Sequence, residues 1–336
     1  MTAKFFTASV DLLNMLMEYA AQIGIHAQTI RSACGLDLNA YRGSNARVPM
    51  QEFNKIWAAV LNCAHDPDFG LHFGEASHKM LRRHLLYAMM ANCDTVEQAI
   101  QKKFQYHNLI MDLIQPALMI NGNLAKLTWR VDHPGLKAER HLTESVMALF
   151  RCMLAYLTND EIELKQVRFC HPPPARIAEH ERLFQAPLAF DESENAMVMP
   201  KSYLAAPILF ANQAIMMDLE RLVQKILHQS YGLHPWKQKV SHLLFDSFLN
   251  ENPADIEAIA GRLALTKRTL QLKLKQENTS FRELLDGVRG ELAMGLLKDG
   301  NASLCEIALL LGFAEQSAFQ HAFKRWTGKT PGDYRK

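Results

Sequence analysis

Gln316, Ser317, Gln320, His321, Lys324 and Arg325 recur at the spacing that gathers side chains along one side of a helix. Their chemistry is that of donors and cations: amides that donate and accept together, an imidazole that does either, and two bases with fixed positive charge. Apart from Glu315 at the helix start, no carboxylate interrupts this side. Such a face suits a polyanion whose edges also offer hydrogen-bonding groups, which is the chemistry of duplex DNA. Gln320 and His321 are placed to bond base edges, and Lys324 and Arg325, near the helix end, to hold phosphates. The plain alternative for Lys324 is an ion pair within its own domain. A related set lies upstream: Lys267, Arg268, Gln271, Leu272 and Lys275. Arg268 has the fork for guanine O6 and N7, Gln271 the amide for adenine, and Leu272 an apolar end for a thymine methyl. The alternative for Arg268 is a phosphate contact or a solvated arginine.

Helices must hold these side chains, and the sequence supplies them. Between the polar positions of the last segment, Phe319, Ala322, Phe323 and Trp326 fall at i, i+3, i+4 and i+7, an apolar stripe that faces a core. The segment is one half of a diverged repeat. Ile259-Ala260-x-x-Leu263-Ala264-Leu265 matches Ile307-Ala308-x-x-Leu311-Gly312-Phe313 at an offset of 48, and Leu270 and Leu274 match Phe319 and Phe323 at 49. Each copy reads as a short apolar helix, a tight turn and a second helix with one polar face, a helix-turn-helix. Ser303-x-x-Glu306 and Ser280-x-x-Glu283 are capping boxes. Asn252-Pro253 places a cap before a first-turn proline, and Gly312 suits the turn. A helix from Phe281 to Lys298 joins the copies into an all-α carboxy-terminal module.

The bulk numbers give that reading room. The chain has 336 residues, enough for two domains. Its net charge of +2 is unevenly placed. From Asp255 onward 13 Lys or Arg face 10 Asp or Glu, whereas the rest carries 24 against 25. The six cysteines are scattered without a Cys-x-x-Cys pair, and no apolar run approaches a membrane span. The amino terminus lacks a signal-peptide layout. A cytoplasmic protein without a membrane segment is expected. No G-x-S-x-G, H-E-x-x-H, Walker or G-x-G-x-x-G pattern is present. The 14 histidines are dispersed; His171 and His180 flank a proline run without ligand spacing. No enzymatic activity, metal or cofactor is expected.

The amino-terminal two-thirds reads as α+β. Residues 5–62 look helical, with LLNMLMEYAAQIG stopping at Gly24 and Phe53, Ile56, Trp57 and Val60 on one face. Helices also fit LRRHLLYAMM, TVEQAIQKKFQYHNLI and ERHLTESVMALFRCMLAYL. Asn121-Gly122-Asn123 separates two short runs as a hairpin turn would; KQVRFC and LAFDESENAMVMP look like further strands. A long amphipathic helix is expected from Ile208 to Tyr231, ahead of a break at Gly232–Pro235. It either packs on its own domain or forms a dimer contact. The expected division is 1–207, 208–234 and 235–336: a regulatory domain, a linker helix and a DNA-binding domain with two helix-turn-helix units.

Gly312-Phe313, Ser317, Phe319, Phe323-Lys324, Gly328, Thr330-Pro331 and Tyr334-Arg335 resemble the carboxy-terminal signature of the AraC/XylS family of transcriptional regulators. Ile259-Ala260, Thr266, Arg268-Thr-Leu270, Ser280-Phe281, Arg289 and Ala293 extend the likeness upstream. Arg47-Val-Pro49, Phe53, Trp57, Asp66-Pro67-x-Phe69-Gly70-Leu71, Thr95-Val-Glu97-x-Ala99 and Tyr106-His107 resemble the arabinose-binding-type domain found with ornithine-responsive and related regulators. Asn278 stands where the family often has Gly, and Leu272 where it often has a base. The resemblance implies a cytoplasmic regulator of promoter DNA, acting as a homodimer and, if an activator, with RNA polymerase. It also implies an amino-terminal domain that senses a small organic effector such as an amino acid or fatty acid. For an anionic effector, Arg82, Arg83, His84, His107, Trp129, Arg140 and His141 are the candidate contacts. The competing reading is a constitutive or architectural DNA-binding protein with no effector.

Overall fold

The computed structural model describes residues 7–41, 46–81, 84–131, 140–159, 162–230, 235–249, 253–299 and 302–335. Residues 7–130 and 140–227 belong to one compact unit, and residues 228–335 to another. The first is α+β and the second all-α.

The first unit opens with strand β1 (Thr7–Ser9), helices α1 (Val10–Gln22) and α2 (Ala27–Cys34), strand β2 (Arg47–Pro49) and helices α3 (Met50–Ala64), α4 (Phe69–Met80), α5 (Leu85–Ala91) and α6 (Val96–Gln105). β1 and β2 pair antiparallel, so this region is not the wholly helical stretch that its periodicity suggests. Strands of three residues are too short to print an alternating pattern. They are held from a distance: Arg47 bonds Asp112 at 3.0 Å and the Thr7 carbonyl at 3.0 Å, and Asp112 accepts from the Thr7 amide. Tyr19, Trp57, Phe69 and Phe73 bring α1, α3 and α4 together through ring contacts of 5.5–6.0 Å.

Strands β3 (Ile114–Asn121) and β4 (Leu124–Val131) form the hairpin, turning at Gly122 with φ +57°. Helix α7 (Arg140–Thr158), strand β5 (Gln166–Arg168), helix α8 (Ala178–Phe184) and strands β6 (Leu188–Ala189) and β7 (Asn195–Pro200) follow. The sheet order is β3-β4-β7-β5-β6; β7 pairs antiparallel with β4 and β5, and β5 pairs parallel with β6. α4 lies tight against α7 because Gly70 and Gly74 leave the space: a Cβ there would sit 2.3 Å from the His141 carbonyl oxygen and 2.4 Å from that of Ser145.

Helix α9 runs Gln213–Ser230, starting later than Ile208. The preceding backbone is drawn into the fold instead: the Ile208 amide donates to Asp94 O and the Leu209 amide to Leu157 O, and Asn212 Oδ1 then accepts from the Ile215 amide. Tyr231 and residues 232–234 of the expected break lie outside the described residues, whereas Pro235 begins a helix.

The second unit contains α10 (Pro235–Leu249), α11 (Ile256–Arg262), α12 (Lys267–Gln276), α13 (Phe281–Asp299), α14 (Leu304–Leu310), α15 (Gln316–Thr327) and α16 (Pro331–Arg335). Ser303 and Glu306 cap α14 reciprocally, and Ser280 and Glu283 do the same for α13. Asp255 caps α11; Asn252 of the expected cap lies outside the described residues.

Candidate functional site

Helices α12 and α15 are presented by the same local device. Each follows a short helix and a turn through a left-handed residue, Ala264 at φ +53° or Gly312 at φ +71°. In α12 the buried Leu270 and Leu274 anchor the inner side, and Thr266 caps the start by accepting from the Thr269 amide. Lys267, Arg268, Gln271 and Lys275 are exposed, and Leu272 is 54% exposed despite its apolar side chain. Lys267 is tied to Glu257 at 2.7 Å; Arg268, Gln271 and Lys275 make no side-chain hydrogen bond among the described residues. In α15 Phe319, Ala322 and Phe323 are buried, while Gln316, Ser317, His321, Lys324 and Arg325 are exposed and Gln320 half-buried. Trp326 is half-buried against Phe313, completing the inner stripe. Ser317 donates to Glu315, and Arg325 reaches Asp286 at 3.0 Å. Lys324 has no ion pair among the described residues, so the intradomain pairing weighed for it is not formed. The Lys267 and Arg325 pairs are solvent-exposed and hold weakly, so either base can exchange its carboxylate for a phosphate.

The frame behind the two helices rests on groups that sequence reading leaves unassigned. The carboxylate of Glu277, at the end of α12, accepts from the Trp236 and Lys237 amides at 2.9 and 2.8 Å, capping α10. Lys273 lies over the Trp236 ring at 4.2 Å. Arg289 of α13 donates to the Gly312 carbonyl and stacks 4.7 Å from the Phe313 ring. Its guanidinium, a natural phosphate ligand, is spent on the turn.

In the first unit the candidate effector contacts separate. Arg82 and Arg83 lie outside the described residues. His84 accepts from the Leu86 amide at the start of α5 and lies 3.5 Å from Asp11; burial pushes its imidazole below the usual range. Arg140 and His141 gather on the fully buried Glu144, at 2.7 and 3.6 Å, with His180 at 2.7 Å and His171 at 3.5 Å. Burial works to raise the Glu144 carboxyl, but the bonds from His141, His180 and Arg140 hold it at about 2. Arg140 and His141 thus brace a buried carboxylate. No three His, Cys, Asp or Glu side chains among the described residues gather as a metal site would require.

His107 and Trp129 come together, lining a cavity of about 90 Å³ between α1, α4, α6, α7 and the hairpin. Lys103, Ser77 and Ser145 also line it and were not singled out from the sequence. A signal was available for Lys103. Val96, Ala99 and Ile100 form the buried face of α6, and position 103 continues that face one turn on. A lysine on an apolar stripe marks a place where charge is wanted inside.

Comparison with known proteins agrees with both units. The arabinose-binding domain of AraC transcription regulators matches residues 24–208, and a helix-turn-helix domain matches residues 259–336. The ornithine utilization regulator of Pseudomonas aeruginosa is 27% identical over 333 residues, spanning 98% of this chain and 97% of that protein. The regulator VirS of Mycobacterium tuberculosis is 25% identical over 241 residues, 71% of this chain and 69% of that one. Among solved structures, the transcriptional regulator CdpR from Pseudomonas aeruginosa is 23% identical with a TM-score of 0.48, covering 96% of this chain and 97% of its own. The chain belongs to the AraC family of DNA-binding transcriptional regulators, with an arabinose-binding-type amino-terminal domain and a helix-turn-helix carboxy-terminal one.

Proposed function

We propose that the protein is an effector-responsive regulator that reads promoter DNA with α12 and α15 and senses a small organic molecule in its amino-terminal domain. The observation that carries this reading is the pair of helices whose inner sides are core and whose outer sides offer amides, imidazole and bases without acids. An α-helix fits the major groove, and two helices about 34 Å apart read adjacent groove segments on one face. Arg268, Gln271, Leu272, Gln316, Ser317, Gln320 and His321 are the base readers, and Lys267, Lys275, Lys324 and Arg325 the phosphate clamps. Residues 1–207 form the sensing domain and 235–336 the DNA-binding domain. The protein acts in the cytoplasm and, if an activator, engages RNA polymerase.

Residues 208–234 carry the pairing surface of a homodimer. α9 has two apolar stripes. Met216 and Val223 are buried, with Glu220 held by Lys102 and Tyr106, so one side packs on its own unit. Ile215 and Leu222 are 47% and 45% exposed and align with the half-buried Leu219 and Ile226, a second stripe open to a partner helix. An effector alters DNA binding by favouring one arrangement of that surface over another.

A gel-shift titration of the full chain on its own promoter region, against shuffled competitor, tests the proposal. Preference for the promoter that an effector changes is expected. Equal binding to both DNAs leaves the architectural reading. For pairing, Leu219→Glu with Ile226→Glu is expected to sediment as a folded monomer that still binds one half-site. Sedimentation of the double variant as a dimer would move pairing off α9.

A further inference from the structure

The cavity of the amino-terminal unit is almost wholly apolar in its lining, with a sharply limited set of exceptions. Lys103 is the only lysine or arginine there, and no aspartate or glutamate joins it among the described residues. Its ammonium has no ion pair or hydrogen bond among the described residues. Burial pushes it down to about 8. Ser77, 2% exposed, also lines the cavity, and its hydroxyl has no hydrogen-bond partner among the described residues. Ser145 is already committed to the Leu142 carbonyl. A half-buried, unpaired cation and an unused hydroxyl on an apolar wall are costly unless something binds them. What they ask for is one acceptor group with negative charge, attached to hydrocarbon.

The rest of the lining sets the size and excludes alternatives. Trp129 and Phe150 meet edge to face at 5.3 Å, and Phe104 stacks beside Phe150 at 5.7 Å. The cavity is small, about 90 Å³. A long chain does not fit without displacing core side chains. A second ammonium, as in a diamino acid, finds no carboxylate to meet it and would lie beside Lys103.

We propose that this cavity binds a compact apolar monocarboxylate, its carboxylate on Lys103 and Ser77 and its hydrocarbon among Phe104, Trp129 and Phe150. This rests on the effector reading above and assigns its site and ligand class. A bound carboxylate restores the charged form of Lys103, so affinity holds near neutral pH and falls as pH rises past about 8. Among the described residues, the titratable groups near Lys103 include His107 in the cavity wall and His84 with Asp11 beside it. His84 is pushed toward its neutral form by burial, which is the largest influence on it.

Calorimetric titration of the full chain with isovalerate, its neutral amide isovaleramide, isoamylamine, ornithine and laurate tests the assignment, alongside gel shifts with the same probes. Isovalerate is expected to bind most tightly. Lys103→Met is expected to weaken isovalerate by about tenfold or more, the loss of one charge-assisted bond, while leaving isovaleramide unchanged. Ser77→Ala, which leaves the positive charge in place, should weaken isovalerate less, by about threefold. Tighter binding of isoamylamine, ornithine or laurate than of isovalerate, or equal isovalerate affinity in Lys103→Met, overturns the ligand class. The effector reading fails separately: isovalerate that binds through Lys103 but leaves promoter affinity unchanged sinks that reading and keeps the site. Ornithine that alters promoter affinity equally in wild type and Lys103→Met does the reverse.

Discussion

In the first helix-turn-helix unit the chain turns through Ala264 at φ +53°, and in the second through Gly312 at φ +71°. Behind α12 sit Leu270 and Leu274; behind α15, at the equivalent places, Phe319 and Phe323. The first is fixed to α10 through Glu277 and Lys273, the second to α13 through Arg289 and Arg325. Outward, Lys267, Arg268 and Lys275 correspond to Gln316, Ser317 and Lys324. Inner register is the same in both copies, while turn residue, core size, bracing and outer charge all differ. Core geometry thus fixes where the second helix of each copy points, and the outer positions are free to diverge.

The largest effect expected from this comparison is on the cores. Phe323→Ala should destabilise the carboxy-terminal unit by about 3–5 kcal/mol, and Leu274→Ala by less, because the aromatic leaves the larger cavity. Denaturant unfolding followed by helix signal measures both. A folded Phe323→Ala protein that has lost only DNA binding would place the aromatic stripe on the outside and reverse the helix phase.

Glu291, on the helix between the units, is pushed up to about 8 by burial. Its folded-state value lies above the unfolded 4.5, so the unit should lose stability as pH rises from about 4.5 toward about 8. Glu291→Gln should remove most of that slope and stabilise the unit near neutral pH by up to about 3 kcal/mol. An unchanged pH profile in thermal melts would mean that the carboxyl is hydrated.

The turns should respond with opposite signs. Gly312→Ala puts a Cβ at positive φ and 3.3 Å from the Arg289 guanidinium, and should cost about 1–2 kcal/mol. Ala264→Gly relieves the same strain and should be neutral or stabilising by up to about 1 kcal/mol. Equal responses would show that the turns are not equivalent. The smallest effect expected is that of Lys324→Ala, which should weaken all duplexes alike and lower the salt slope by about one unit.

The repeat made the carboxy-terminal unit legible, because apolar periodicity, capping residues and turn residues all act within a few positions of one another. The amino-terminal unit was legible only in part. Its hairpin announced itself through Gly122, but the β1–β2 pair depends on Arg47 reaching Asp112, a contact without local trace. Arg140 and His141 stand four and three residues before Glu144, the local spacing of a helical ion pair; what has no local trace is that His180 and burial draw that carboxylate inward. Lys103 was the reverse case: its misplaced charge stood on the apolar face of α6, visible once position is weighed above residue type.

On the proposed reading, two unequal readers on one chain recognise an asymmetric DNA site. Binding-site selection from a random duplex pool, performed with wild type, Arg268→Ala and Gln320→Ala, tests it directly. Each variant is expected to relax base preference at its own position by about 1–3 kcal/mol, with the two positions about one helical turn apart. If both variants relax the same position, or if either weakens every sequence uniformly while preference stays intact, the assignment of α12 and α15 as separate base readers is contradicted.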